Sequence, residues 1–154
     1  VVLDSFNVRL LRRPIVFEDG FYAQVYFREL PGRGDYYRIT RWRNDSLITQ
    51  DINITDDEAI DGFYFGQSPI PAFAYTGPLE RDGDSLGLEI SSITEDYYSY
   101  LALIVTQVFQ VGSTFDPPPA PVIGNIYNVD NKEEYGFGYF AASALATGGA
   151  TYKP

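Results

Sequence analysis

The chain holds 21 acids but no histidine and no cysteine, so any chemistry it performs must run on carboxylates, hydroxyls, arginines and aromatic rings. The densest acid group is Asp56, Asp57, Glu58 and Asp61. Such a group offers oxygen ligands to a hard cation, but calcium loops of the EF-hand type space their oxygens around a central glycine, and that rhythm is missing. The stretch reads as a solvated acidic turn. Asp82-Gly83-Asp84 and Asn128-Val129-Asp130-Asn131 read the same way, because Asp-Gly and Asp-Asn pairs are turn residues before they are ligands. No metal ligand and no cofactor is therefore expected. Paired carboxylates could hydrolyse a glycosidic bond if one had a raised pKa and the two stood about 5–9 Å apart, yet nothing in the sequence selects a pair. Ser–His and Cys–His nucleophile systems and ordinary zinc sites are excluded outright. Lys132 and Lys153 fall in apparent turn or tail positions. The expectation is a protein that is not an enzyme.

Aromatic residues are the larger surplus: 13 Tyr, 11 Phe and one Trp, 16% of the chain. Tyr22, Tyr26, Tyr36, Trp42 and Tyr64 could stack against sugar rings, with nearby acids accepting hydroxyl protons. They could equally form a protein interface, since Tyr, Trp and Arg dominate binding hot spots. The third reading is a β core with tyrosine hydroxyls reaching its rim. Charge adds to the interface reading. Residues 1–43 carry eight of the nine arginines against five acids, a net +3, whereas residues 44–154 carry three positive and sixteen negative side chains, a net −13. Cationic strands facing acidic ones across a sheet would explain this split, and so would a basic face for an acidic partner. The strands from Phe21 to Arg43 are the expected contact surface, with Tyr22, Tyr26, Tyr36, Arg38, Arg41 and Trp42 as candidate binding residues.

The elements that must position these residues are mostly strands. A length of 154 residues, 45% hydrophobic and 21% charged, makes one domain able to bury roughly 70% of its unfolded surface. A net charge of −10 argues against a nucleic-acid partner, and no apolar run approaches the ~18–20 residues of a membrane-spanning helix. Phe6–Leu11 reads as a short strand ended by Pro14. Phe21–Arg28 alternates, Tyr36–Arg43 alternates again, and Asn44-Asp45-Ser46 turns the chain into a strand over 47–54. Phe63–Phe65 is a short aromatic strand, 70–75, interrupted by Pro69 and Pro71, is at best an edge strand, and Leu86–Ile93 is a further alternating strand.

One helix is predicted, over about residues 92–111. Ser92 and Glu95 have capping-box spacing, Tyr97, Leu101, Ile104, Val105 and Val108 recur at helical intervals, and Gly112 supplies a stop. Residues 112–126 read as a proline-rich extended segment. Tyr135–Leu145 alternates and reads as a strand buried on both sides, and 147–154 as a tail. The predicted fold is mainly β: an antiparallel β-sandwich-like domain with one covering α-helix.

Four stretches also carry a resemblance. They are Gly34-Asp35-Tyr36-Tyr37-Arg38, the loop Asp56–Gly62, the tyrosine-bearing helix start Ser92–Tyr100, and Phe115–Ile126 followed by Gly138-Tyr139-Phe140-Ala141-Ala142-Ser143. In this order they resemble the C-terminal half of the Bacteroidota outer-membrane lipoproteins of the domain-of-unknown-function 4249 family. The resemblance spans nearly the whole chain and establishes no catalytic residues. It implies the C-terminal part of a longer lipoprotein, held on the extracellular face of the outer membrane by a lipid anchor that this chain does not contain. Members are often encoded beside TonB-dependent transporters of the starch-utilisation type. The implied role is a non-catalytic accessory subunit on an outer-membrane β-barrel or TonB-dependent transporter, with other surface lipoproteins as further partners. The alternatives are a glycan-binding module of a nutrient-uptake system and, third, a carboxylate-dependent glycoside hydrolase.

Overall fold

The computed structural model describes residues 2–11, 20–48, 52–65, 81–109 and 121–153. The break expected at Pro14, the edge strand at 70–75 and most of the proline-rich segment lie outside the described residues. The fold is mainly antiparallel β with a single helix among the described residues. The smaller sheet has the order β1 (Val2–Leu11), β2 (Gly20–Arg28), β6 (Tyr64–Phe65). The larger runs β4 (Ser46–Leu47), β3 (Tyr36–Arg43), β7 (Ser85–Ile93), β8 (Leu145–Thr151), and β5 (Asn53–Asp56) also pairs with β3. The two sheets adjoin where β1 lies beside β8. None of the described helices is long and apolar enough to cross a membrane.

The larger sheet follows from period-two patterning. Arg43, Arg41, Ile39 and Tyr37 stand opposite Leu86, Leu88, Ile90 and Ser92, and directly opposed residues share a face. That face is the core: Tyr37, Arg41, Leu86, Leu88 and Ile90 are all buried. The other face carries Tyr36, Arg38 and Trp42 from β3 with Gly87, Glu89, Ser91 and Ile93 from β7. Asn44 and Asp45, both at positive φ (49° and 62°), make the two-residue hairpin turn that asparagine and aspartate tolerate best. Asn44 is pinned further, its Nδ2 donating to Asp84 Oδ1 at 3.0 Å and its Oδ1 accepting from the Ser85 amide at 2.8 Å.

Helix α1 (Glu95–Phe109) starts later than the spacing predicts. Ser92 belongs to β7, so the Ser92–Glu95 capping box does not form. Thr94 caps instead: its Oγ1 accepts from the Tyr97 amide at 3.3 Å and its carbonyl from the Tyr98 amide at 2.9 Å. Glu95 and Asp96 sit in the first turn, where the helix dipole favours acids. Leu101 is buried, and the Tyr98 ring packs 4.9 Å from that of Tyr36 on β3. The helix therefore covers the Tyr36–Arg38 end of the outer face and leaves the Trp42 end open.

Two C-terminal expectations change. Tyr135–Leu145 is not a buried strand: Phe137 and Phe140 are exposed, and the stretch contributes one isolated bridge, Tyr127 to Tyr135. The regular strand comes later, as β8, and takes in residues 147–151 of the supposed tail. β8 has little apolar signal because backbone pairing holds it to β7, from Ser91 opposite Leu145 to Ser85 opposite Thr151. Gly149 suits the close approach, since a Cβ there would come within 3.0 Å of the Leu86 carbonyl oxygen.

Candidate functional site

The six residues singled out from sequence do not make one surface. Tyr22 lies on β2 opposite Arg9, and Tyr26 is half-buried on the same strand opposite Ser5. Arg41 points to the core face of β3 and is 2% exposed. Strand alternation puts it on the opposite side from Arg38 and Trp42, so it is not a contact residue.

Tyr36 and Arg38 face α1. Arg38 Nη1 donates to Tyr97 Oη at 3.0 Å, and the Tyr97 ring stacks on Tyr139 with centroids 4.8 Å apart. Tyr100 packs against Tyr139 at 5.1 Å, so a tyrosine cluster ties strand, helix and the 121–144 segment together. Burial first, then the charges of Glu95, Asp56 and Asp57, push the Tyr36 phenol above its ordinary value. Burial and Asp56 do the same to Tyr98.

Trp42 is half-buried and borders open space. It stands opposite Gly87, which stands opposite Gly149, and a Cβ on Gly87 would lie 3.6 Å from Trp42 Cβ. The glycines leave a floor beside the indole. A solvent-open groove of about 380 Å³ runs there, lined by Trp42, Asp45, Gly87, Thr147, Gly149 and Thr151 among others.

A second surface was not singled out from sequence. Between residues 125 and 140 the chain forms a lobe closed by polar side chains. Asn125 Nδ2 donates to the Phe140 carbonyl at 2.7 Å, and Asn125 Oδ1 accepts from the Phe140 amide at 2.8 Å. Glu134 accepts from Asn128 at 2.8 Å and Asn131 at 3.1 Å, and these donors hold its carboxyl below the usual range. Gly124 meets Gly138 so closely that a Cβ on Gly124 would overlap the Gly138 carbonyl oxygen. Because polar bonds shape this lobe, its apolar side chains need not turn inward. Ile126, Tyr127, Val129 (87% exposed), Tyr135, Phe137 (fully exposed) and Phe140 (77% exposed) all face solvent. Scattered exposed apolar residues are normal, but here six stand on one braced lobe.

The third feature lies where β2, the loop after it and the acidic turn meet. The acid loop does not read as solvated throughout, because Asp57 is 2% exposed. Its Oδ1 accepts from the Gly34 amide at 3.1 Å, whereas its Oδ2 is out of solvent with no hydrogen-bond partner. Burial acts to raise this carboxyl, but the amides of Gly34, Asp35 and Asp57 itself, with the Arg33 charge, outweigh it and hold it below its ordinary value. Glu29, just past β2, is wholly buried. It accepts from the Tyr37 hydroxyl at 2.8 Å and from the Gly62 amide at 2.6 Å. Burial and this bond to Glu29 push the Tyr37 phenol far above its ordinary value. Glu29, Asp35 and Asp57 each place one carboxylate oxygen within 4.8 Å of the others. Positive φ at Gly34 and Gly62 (107° and 72°), which glycine adopts without a steric penalty, turns their N–H groups toward these acids.

No curated protein and no solved structure matches the chain. The family model described as Domain of unknown function (DUF4249) matches residues 5–148. That match takes in all of α1, the carboxylate cluster, the Trp42 strand and the exposed lobe, and the chain belongs to that family.

Proposed function

We propose that this chain is a non-catalytic binding domain that docks on another protein through the 125–140 lobe. The observation that carries the proposal is a set of exposed tyrosine, phenylalanine and aliphatic side chains on a backbone already braced by Asn125, Asn128 and Asn131. A braced loop loses little entropy on binding, and aromatic anchors on rigid backbone are the usual carriers of interface energy. The partner class we favour is an outer-membrane β-barrel of the TonB-dependent transporter kind, with the chain acting as part of a lipid-anchored accessory subunit on the extracellular face. The family resemblance supports that choice of partner. The test is co-purification of the full-length, tagged protein from native membranes, with Phe137→Ser/Phe140→Ser beside the wild type. A barrel retained by the wild type and lost by the variant is the expected result. Equal recovery of the barrel with both proteins would refute the lobe as the docking surface.

A second reading rests on the Trp42 groove. An indole beside a glycine floor, edged by Asp45 and the hydroxyls of Thr147 and Thr151, suits a sugar ring that stacks on one face and hydrogen-bonds at its rim. This is a glycan-binding module. Retardation of the wild type, but not of Trp42→Ala, in gels containing polysaccharide would support it. Equal mobility across a broad polysaccharide panel would remove it.

A further inference from the structure

We propose that Glu29, Asp35 and Asp57 form a calcium site. Three observations carry this. First, one oxygen from each carboxylate lies within 4.8 Å of the other two. Oxygens sharing a calcium ion at about 2.3–2.6 Å can stand no more than about 5 Å apart, so the group is already drawn to the size of one coordination sphere. Second, Glu29 and Asp57 are buried, and among the described residues no basic side chain lies within ion-pair distance of any of the three. The nearby Arg33 is largely exposed and turned to Asp61, 3.9 Å away. Buried charges in proteins are paired or hold metals, and among the described residues only the charge of Arg33 acts on this group, from beyond ion-pair distance.

Third, Asp57 Oδ2 is out of solvent and accepts no hydrogen bond. Buried polar atoms are nearly always satisfied, and one that is not points to a missing water or ion. Water at this position would satisfy the oxygen without reducing the summed negative charge of three carboxylates. The Gly34 amide donates to the other oxygen of the same carboxyl at 3.1 Å and leaves Oδ2 unmet. A divalent cation satisfies the oxygen and the charge together. Calcium suits the donor set better than magnesium. It accepts irregular oxygen shells, whereas magnesium demands near-octahedral geometry and retains most of its waters. The half-exposed Asp35 leaves a route for entry and room for water ligands.

The site also has a structural effect. An ion held there links the end of β2 through Glu29, the following loop through Asp35 and the acidic turn through Asp57. Tyr37 then fastens Glu29 to β3.

The inference is independent of the docking reading, because it is measured on the purified protein with no partner present. Full-length protein stripped with EDTA is titrated with calcium chloride by calorimetry and thermal unfolding, with magnesium chloride in parallel. One calcium per chain and a Tm rise of about 5–10 °C at a hundredfold excess over Kd are expected. Asp57→Asn is expected to weaken calcium binding at least tenfold. If that variant does not fold, Asp35→Asn at the half-exposed position replaces it, with the same expected loss. Terbium, a calcium substitute excited through nearby tyrosine, is expected to emit when bound beside Tyr37 and to be displaced by calcium. No heat and no Tm shift at about 10 mM calcium, above the range of weak extracellular calcium modules, would overturn the site. So would calcium binding unchanged in the asparagine variant. Magnesium binding as tight as calcium's would overturn the choice of ion.

Discussion

Tyr37→Phe removes a single oxygen from the interior and leaves the ring in place, so its effect isolates one bond. The hydroxyl donates to Glu29 Oε1 at 2.8 Å, and both residues are buried. Hydrogen bonds to charged groups contribute about 1.5–3 kcal/mol, and the loss is larger when the abandoned partner stays out of water. Glu29 keeps the Gly62 amide on its other oxygen at 2.6 Å, so it is not stripped bare. The expected destabilisation is about 2–3 kcal/mol. At this chain length that is a fall in Tm of roughly 4–12 °C. Urea unfolding in EDTA buffer at pH 7 measures it, with an unchanged m-value showing that both end states are the same. Tyr135→Phe, at an exposed position, is the control and should stay within about 0.5 kcal/mol of wild type. A pH series adds a second reading of the same bond. The Tyr37 phenol is raised in the native state, so above about pH 10 the unfolded chain releases a proton that the folded chain keeps. Stability from Tyr37 is fully present below that pH and is lost as pH rises beyond it. The gap between wild type and Tyr37→Phe should therefore narrow with alkali. A loss under about 0.5 kcal/mol at pH 7, or a gap that widens above pH 10, would mean that water reaches Glu29 and the pocket is not dry.

Two further perturbations separate the core from the lobe. Leu88 is 1% exposed at the centre of β7, and Leu88→Ala should cost about 2–5 kcal/mol in chemical denaturation; Leu145→Ala on exposed β8 should cost little, and equal losses would contradict the assigned core face. Gly124→Ala forces apart two backbone segments, because its Cβ would overlap the Gly138 carbonyl. Hydrogen exchange should then quicken at the Gly136 and Phe140 amides, which donate across the lobe, while β7 amides keep their protection. Unchanged exchange at those two amides would show that the lobe is not closed there.

Much of the larger sheet was legible because its strands carry their own signal. β3 and β7 alternate, and the alternation matches the buried face residue for residue at Leu86, Leu88 and Ile90. The turn at Asn44-Asp45 was legible for the same local reason. β8 was not, because Gly148 and Gly149 carry no side chain to declare a face and their pairing is a property of β7. The opposite failure occurred at Tyr135–Leu145. There the aromatic alternation is real, but the Asn125 side chain captures both the amide and the carbonyl of Phe140, backbone groups that a strand would have needed. The helix start moved from Ser92 to Thr94 because β7 pairs through Ser92 and Ile93 with β3, and strand pairing overrides a local capping motif. Asp57 stood in the acid loop that the sequence offers as a cation ligand and that reads as a solvated turn, while Glu29 and Asp35 carried no such signal. Only the closure of two loops onto β3 brings their oxygens together, and no spacing rule in one dimension encodes it.

The same contrast explains why the docking surface we propose lies on the lobe rather than on the arginine-bearing strands. On β3 most side chains are committed either to the core, as Arg41 and Tyr37 are, or to a covering element, as Arg38 is to α1, and only the Trp42 end stays uncovered. Such residues build the platform but have little surface to offer. The lobe satisfies its own amides locally, so its aromatic side chains are not needed for folding and remain available. Stability and recognition are then carried by different residues. Substitutions at Leu88, Glu29 or Tyr37 act on the platform, whereas substitutions at Val129, Phe137 or Phe140 remove contact area without touching a buried bond. Asp57 belongs to the first group although it lies in a loop, because its carboxylate faces inward toward Glu29 rather than outward to a partner. Buried Glu29 and Asp57 and half-exposed Asp35 concentrate negative charge at one point of the fold, and the cation we propose there would neutralise it.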